Sequence, residues 1–108
     1  MTVRVEPLGV TIDVDPEETL MMAVTRSGYR WPSVCGGLAE CGICVMEILE
    51  APPRLLAPGS DLEAQRLATV PERRLHPEAV FRLACQFQPG FAHVVVRKRG
   101  VRRVEALA

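Results

Sequence analysis

Three cysteines lie close together in the stretch VCGGLAECGICVMEI, which spans positions 34 to 48. Cys35, Cys41 and Cys44 follow the spacing C-x5-C-x2-C, and three glycines stand between them. The fourth cysteine, Cys85, lies far downstream in RLACQ. A chain of 108 residues that gathers its thiols in this way has to fold around whatever they bind. These cysteines therefore constrain the fold more than any other feature.

The cellular compartment influences whether cysteines form disulfides or take part in metal or redox chemistry. The N-terminal stretch MTVRVEPLGVTIDV lacks the apolar region of a signal peptide, and the acidic Glu17 and Glu18 argue against a transit peptide. No apolar run is long enough to cross a bilayer, so we expect no membrane insertion. We expect a cytoplasmic protein, where thiols stay reduced. Its cysteines then indicate a metal or redox site.

The spacing separates the metal chemistries. A structural zinc site uses two C-x2-C pairs, but only Cys41 and Cys44 form one. A Rieske centre needs two histidines, and His76 and His93 lie outside any such spacing, which assigns them ordinary surface or packing roles. A thioredoxin-type pair stands before a helix, whereas this one runs into a predicted strand. A 2Fe–2S cluster fits best, and a zinc site or unliganded thiols are the alternatives.

The glycines suit such a cluster. Four thiolates and two sulfides make an anion whose sulfurs need backbone N–H donors. Gly36, Gly37 and Gly42 let the loop turn its N–H groups inward without side-chain clashes. We predict that three loop thiolates hold the cluster and that Cys85 closes the site from a separate strand.

The first half of the chain predicts a hairpin followed by a helix. Strands 2–8 and 10–16 flank Gly9, and the second alternates apolar and polar residues. A helix over 15–28 would be capped by Asp15, with Pro16 at its first position. Its predicted buried stripe is Leu20, Ala23 and Val24.

The second half alternates strands and loops around one more helix. We predict a strand at 44–50, a proline-rich loop at 51–59, a helix at 60–70 capped by Ser60 or Asp61, a loop at 71–79, and strands at 81–88 and 92–98. The order β-β-α-β-α-β-β describes a mixed sheet with one main helix packed across it. We therefore expect a single α+β domain over residues 1–108.

The motifs CGGLAECGIC and RLACQ, with this strand order, resemble the plant-type and vertebrate-type 2Fe–2S ferredoxins. The resemblance runs from the first hairpin to about Val96, and the tail 97–108 lies outside it. The five-residue first interval is similar to the adrenodoxin and putidaredoxin branch. The resemblance implies a β-grasp fold and cluster ligation by Cys35, Cys41, Cys44 and Cys85.

The resemblance also implies a function. Such a protein is a monomeric one-electron carrier that receives electrons from a flavin-containing reductase and passes them to an oxygenase, a cytochrome P450 or another metalloenzyme. We expect no enzyme activity, because the sequence has no nucleophile–base pair, phosphate loop or second cofactor motif. Two alternatives remain: a protective or redox-sensing protein that binds a partner according to redox state, and an enzyme subunit that works inside a complex.

Charge is divided unevenly along the chain. Residues 1–50 carry eight acidic and three basic side chains, and residues 51–108 carry five acidic and ten basic ones. The acidic docking helix of adrenodoxin-like carriers is weak here, because Asp61, Glu63 and Glu72 are mixed with arginines. We interpret the basic segment 97–103 as a solvated edge and tail, with steering of an acidic partner as the alternative. The zero net charge and the lack of interleaved aromatics argue against nucleic-acid binding.

Two further side chains are expected to support the loop. Trp31 precedes Pro32 just before the cysteines, and we predict that it packs against one side of the loop. Arg82, three positions before Cys85, is predicted to donate hydrogen bonds to loop carbonyls.

Overall fold

The computed structural model of the chain describes residues 2–32 and 44–104. The strands in these ranges are Thr2–Glu6 (β1), Val10–Asp13 (β2), Tyr29–Arg30 (β3), Val45–Glu50 (β4), Val80–Leu83 (β5), Val94–Arg97 (β6) and Arg102–Arg103 (β7). The helices are Leu20–Arg26 (α1), Asp61–Leu67 (α2) and Pro71–Leu75 (α3), with a 3₁₀ turn at Pro53–Leu55. No helix in these ranges has the length and apolar character needed to span a membrane.

A five-stranded mixed sheet organises the fold, in the order β2-β1-β6-β4-β5. The first two strands form the predicted antiparallel hairpin, with Val3 opposite Ile12. β1 then runs parallel to β6, and β4 lies antiparallel to both β6 and β5. This sheet, with α1 packed on it, confirms the predicted α+β class.

The core is almost entirely aliphatic, since the chain has few aromatic residues. Strand alternation places one side chain in two inside, as in β1, where Val3 and Val5 are fully buried and Arg4 is exposed. The predicted stripe of α1, formed by Leu20, Ala23 and Val24, is fully buried. The hydrophobic pattern therefore identified the faces that pack together.

The start of α1 differs from the prediction, because the helix begins at Leu20 and not near Asp15. The hydroxyl of Thr19 caps it by accepting a hydrogen bond from the Met22 N–H at 3.2 Å. Asp15 instead opens a turn, in which the Glu18 N–H bonds to its carbonyl at 3.0 Å. The Leu20 N–H, which a longer helix would have used internally, donates to the Phe87 carbonyl at 2.8 Å. A contact distant in sequence thus replaces the first predicted turns.

The segment between β4 and β5 is more regular than predicted. The Ser60 hydroxyl caps α2 by accepting from the Glu63 N–H at 3.1 Å, as expected. The predicted loop 71–79 contains α3, which starts with Pro71 at a position where proline is tolerated. The proline-rich loop contains the 3₁₀ turn at Pro53–Leu55. Short helical turns of this kind carry too weak a periodicity to be read from sequence.

The basic tail folds back onto the chain segment that follows α1. Tyr29 lies opposite Arg103 and Arg30 opposite Arg102, so β3 and β7 form a small antiparallel ribbon. The Val104 N–H adds a hydrogen bond to the Gly28 carbonyl at 2.8 Å. Arg102 and Arg103 are exposed on an edge strand, which agrees with the interpretation of 97–103 as a solvated edge strand and tail.

Candidate metal centre

Two of the four cysteines lie in the described ranges, and the fold brings them together. The Sγ atoms of Cys44 and Cys85 are 3.4 Å apart. Cys44 is fully buried, and Cys85 is 7% exposed. Cys44 immediately precedes β4, whereas Cys85 lies in a turn closed by a hydrogen bond from the Gln86 N–H to the Leu83 carbonyl at 2.9 Å. The prediction that Cys85 stands on a strand is therefore wrong by two residues.

The backbone of Cys44 ties the two thiol segments together. Its carbonyl accepts a hydrogen bond from the Ala84 N–H at 3.3 Å and another from the Trp31 indole N–H at 3.1 Å. The Ala84 carbonyl in turn accepts from the Met21 N–H at 3.2 Å. The start of α1, the start of β4 and the Cys85 turn are thus joined by backbone hydrogen bonds. This network holds the backbones of the two cysteine segments together.

Trp31 has a more defined role than the sequence indicated. Its ring is buried, at 5% exposure, and its indole N–H satisfies the Cys44 carbonyl. Buried indoles usually find such a partner, because an unpaired N–H is costly away from water. The predicted packing against the cysteine loop falls on residues outside the described ranges.

Arg82 supports the Cys85 segment through partners in α2 and the proline-rich connection, whereas its predicted hydrogen bonds to cysteine-loop carbonyls fall on residues outside the described ranges. Its guanidinium forms a bidentate ion pair with Glu63, at 2.6 Å and 2.8 Å, and donates to the Leu55 carbonyl at 2.8 Å. Both side chains are buried, Arg82 at 4% and Glu63 at 0% exposure. The Leu83 N–H also donates to the Glu63 carboxylate at 3.0 Å. The ion pair therefore joins α2 and the proline-rich connection to β5.

The position of Glu63 differs from the prediction. The sequence pattern places Glu63 on a surface docking face, but in the structure its side chain is fully buried. Burial raises the pKa of Glu63, but hydrogen bonds from Arg82 and from the Leu83 and Gly59 N–H groups outweigh burial and hold it below its usual value. The S-x-x-E pattern from Ser60 to Glu63 matches a capping box, a signal that the carboxylate is engaged, although in the structure Glu63 accepts from the Gly59 N–H.

The other predicted site residues lie outside the described ranges. Cys35, Cys41, Gly36, Gly37 and Gly42 lie outside the described residues, as does the rest of the loop 33–43. The histidines have contacts of their own. His93 Nδ1 lies 2.9 Å from the Thr2 hydroxyl, and His76 Nδ1 lies 3.9 Å from a Glu78 carboxylate oxygen.

The described part of the site fits a thiolate-bound metal. A tetrahedral metal with metal–sulfur bonds of about 2.3 Å places two thiolate sulfurs roughly 3.8 Å apart. The separation of Cys44 and Cys85 is close to that value, and the pair comes from two rigidly joined segments. Among the side chains of the described ranges, none has a buried nitrogen or oxygen atom without a hydrogen-bond partner. The pair therefore offers soft sulfur ligands in a site with its polar groups satisfied.

The fold and the site together define a small α+β domain that presents two buried, paired thiols to a metal. The chain matches the model of the "2Fe-2S iron-sulfur cluster binding domain" over residues 3–90, and it belongs to that family. Its cofactor is a 2Fe–2S cluster.

Similar proteins of known sequence or structure agree with this placement. The chain is 35% identical over 48 residues to the phenol hydroxylase P5 protein of Acinetobacter pittii (strain PHEA-2), covering 44% of this chain and 13% of that protein. The crystal structure of the Amycolatopsis cytochrome P450 reductase GcoB superposes with a TM-score of 0.67 and 28% identity, covering 97% of this chain and 28% of the reductase. The chain thus spans a minor part of both proteins.

Two ferredoxins show the same fold over nearly their whole length. The Trichomonas vaginalis ferredoxin has a TM-score of 0.63 and 20% identity, covering 90% of this chain and 97% of its own. The ferredoxin of Rhodopseudomonas palustris HaA2 has a TM-score of 0.58 and 21% identity, covering 95% and 97%. At these identities the likeness concerns the ferredoxin fold, and it confirms the fold predicted from the sequence motifs.

Proposed function

We propose that Cys35, Cys41, Cys44 and Cys85 are the four ligands of the 2Fe–2S cluster. The observation that carries the proposal is the 3.4 Å separation of the Cys44 and Cys85 sulfurs, which come from distant parts of the chain. Gly36, Gly37 and Gly42 lie between the other ligands in sequence and give that loop conformational freedom. Ligation by all four cysteines leaves no thiol of this chain for other chemistry.

The bound cluster supplies one-electron chemistry, and its potential depends on hydrogen bonds to sulfur and on solvent exposure. The described residues affect both the hydrogen bonding and the solvent exposure of the cysteine sulfurs. Burial of Cys44 excludes water from its sulfur, and the Gln86 side-chain amide lies 3.7 Å from the Cys85 sulfur. The Arg82–Glu63 ion pair holds the β5 end, from which Cys85 follows, in a single position.

We further propose that the protein passes electrons from a flavin-containing reductase to an oxygenase, a cytochrome P450 or another metalloenzyme. Support comes from the two similar proteins whose names refer to a hydroxylase and to a cytochrome P450 reductase. We propose that the domain covers residues 1–108 and works as a monomer in the cytoplasm. Reduced thiols, which ligation requires, favour that compartment.

Ligand assignment is tested with cysteine-to-serine variants of the purified holoprotein. Each of the four variants should lose most of its iron and the rhombic electron paramagnetic resonance signal that appears on one-electron reduction. Ala84→Ser is the matched control, since it adds a hydroxyl at a fully buried neighbour of Cys85 and removes no ligand. A cysteine variant with full iron content and an unchanged signal would exclude that residue as a ligand.

The carrier role is tested by reconstitution with a flavin-containing ferredoxin reductase, NADPH and a cytochrome P450. Product should form only when the protein is present, with many turnovers per molecule. A cluster that is reduced by the reductase but supports no turnover, while its redox state changes the affinity for a partner, would favour a redox-sensing role.

A further inference from the structure

A groove of about 770 Å³ opens between α1 and the β3–β7 ribbon. Cys85 lines its floor together with the buried ring of Trp31. Apolar side chains at its rim are open to solvent, with Met22 56% and Val104 54% exposed. No carboxylate lines the groove among the residues that the structure describes. An apolar surface therefore reaches from solvent to one of the proposed cluster ligands.

The ribbon beside the groove carries an unusual arrangement of charge. Arg30 lines the groove and lies directly opposite Arg102 in the antiparallel pair, and Arg103 lies opposite Tyr29. Like charges directly opposite one another destabilise such a pair. The repulsion between Arg30 and Arg102 therefore destabilises the β3–β7 ribbon.

Carboxylates neutralise other arginines of the fold but not these. Arg26, which also lines the groove, is 2.7 Å from a Glu18 oxygen, and Arg97 is 3.3 Å from Glu47. Arg30, Arg102 and Arg103 are exposed and have no carboxylate within ion-pair distance in the described part of the chain. Their charge is therefore available to a partner.

The helix that serves as an acidic docking face in similar carriers has a different role here. Its Glu63 is consumed in the buried ion pair with Arg82, and α3 presents Arg73 and Arg74 to solvent. Uncompensated charge lies instead at the basic groove, defined here as the cavity lined by Met22, Arg30, Trp31, Cys85 and Val104 together with Arg102 and Arg103 of the adjoining strand.

We propose that the basic groove is a docking surface for a redox partner protein with an acidic rim around an apolar centre. This rests on the proposed carrier function. An apolar middle with a charged border matches the anatomy of transient protein interfaces. Carboxylates of the partner would relieve the repulsion between Arg30 and Arg102, and docking here brings the partner's redox centre next to Cys85.

The test compares two double variants of the holoprotein with the same net charge. Arg30→Glu/Arg102→Glu reverses the charge of the groove. Because like charges still lie opposite each other, the ribbon should be no less stable than in the wild type. Arg73→Glu/Arg74→Glu makes the same change on α3, which does not line the groove. Arg30→Gln/Arg102→Gln serves as a second groove variant if charge reversal impairs folding.

The probes are two haem proteins of opposite charge, acidic cytochrome b5 and basic cytochrome c, which the dithionite-reduced protein would reduce. At low ionic strength, the groove reversal should slow reduction of cytochrome b5 by about tenfold or more and speed reduction of cytochrome c. The α3 control changes the net charge equally, so it should also slow reduction of cytochrome b5 at low ionic strength, but by a clearly smaller factor than the groove reversal. Calorimetric titration of the oxidised protein with cytochrome b5 measures binding without electron transfer. The groove reversal should bind cytochrome b5 more weakly than the wild type and the α3 control do.

Three outcomes would overturn the proposal. Equal effects of the two double variants would mean that only net charge matters. Unchanged rates in the groove variants would mean that partners dock elsewhere. Equal slowing of cytochrome b5 and cytochrome c reduction by the groove reversal would mean that the substitutions act by something other than the charge of the docking surface. By contrast, failure of the reduced wild-type protein to reduce either haem protein would refute the carrier function itself.

Discussion

Glu63→Gln tests how far the buried ion pair holds the fold together. The carboxylate of Glu63 accepts from Arg82 at 2.6 Å and 2.8 Å, and from the Leu83 and Gly59 N–H groups at 3.0 Å each. Glutamine fits the same space but carries no charge and offers one acceptor oxygen. The variant therefore leaves the Arg82 guanidinium, only 4% exposed, without a counter-charge.

The expected cost follows from that burial. Breaking one side of a buried ion pair costs about 3–5 kcal/mol, because the remaining charge stays desolvated. In a domain of roughly 100 residues each kcal/mol lowers the melting temperature by about 4 °C or more. We therefore expect the apparent melting temperature of the holoprotein to fall by at least about 10 °C, compared at one scan rate.

Two controls separate the ion pair from general effects. Asp61→Asn removes a charge from the exposed first turn of the same helix and should change the melting temperature little. The double variant Glu63→Gln/Arg82→Met also removes the stranded guanidinium and keeps an acceptor for the Leu83 and Gly59 N–H groups, so it should recover part of the loss. A fall of less than about 3 °C in Glu63→Gln, or a double variant no better than the single one, would mean that the buried ion pair contributes little to stability.

Two further predictions concern acid stability and the ribbon. Arg26 lowers the pKa of Glu18 to about 2, so their pair stabilises the fold above the ordinary glutamate range near pH 4.5 and loses that contribution as the pH falls toward 2. The melting-temperature advantage of the wild type over Glu18→Gln should accordingly shrink over this range. Gly100 has a φ of +90°, and a Cβ there would lie 3.1 Å from the Pro32 side chain, so Gly100→Ala should destabilise by more than the roughly 1–2 kcal/mol of a positive φ alone. Gly90→Ala, at φ +62° with open space around it, is the matched control.

Each of these has a clear contrary result. A pH-independent difference between the wild type and Glu18→Gln would mean that the carboxylate of Glu18 is not held ionised by its partner. Equal melting temperatures for the two alanine variants would mean that the close approach of Gly100 to Pro32 costs nothing.

Local sequence patterns predicted the parts of the fold that rest on local physics. The alternation in β1 and β2 gave the hairpin, because successive side chains of a strand point to opposite faces. The apolar stripe of α1 and the Ser60 cap of α2 were likewise readable, since both depend on residues three or four positions apart. Boundaries were less certain, and α1 starts later because its first N–H groups bond to the distant Cys85 turn.

The candidate site likewise has one part that the sequence predicted and another that it did not. The C-x5-C-x2-C spacing and the later cysteine indicated the cluster, since ligand type and spacing are written in the chain itself. The partner of Arg82 was not predictable, because nothing local links Glu63 on α2 to a strand 19 positions later. The prediction used the charge of Glu63 but had no means of knowing its burial.

The cysteine spacing and the glycines between the cysteines were enough to indicate a 2Fe–2S cluster, and the family match agrees. Where charge and apolar surface meet depends instead on the tertiary fold. The fold buries Glu63 of α2, pairs residues 102–103 with β3, and sets Arg102 opposite Arg30, which lines the same groove as Cys85. The physical reason is that ligand identity is a property of single residues, whereas a docking surface depends on which distant segments the fold brings into contact.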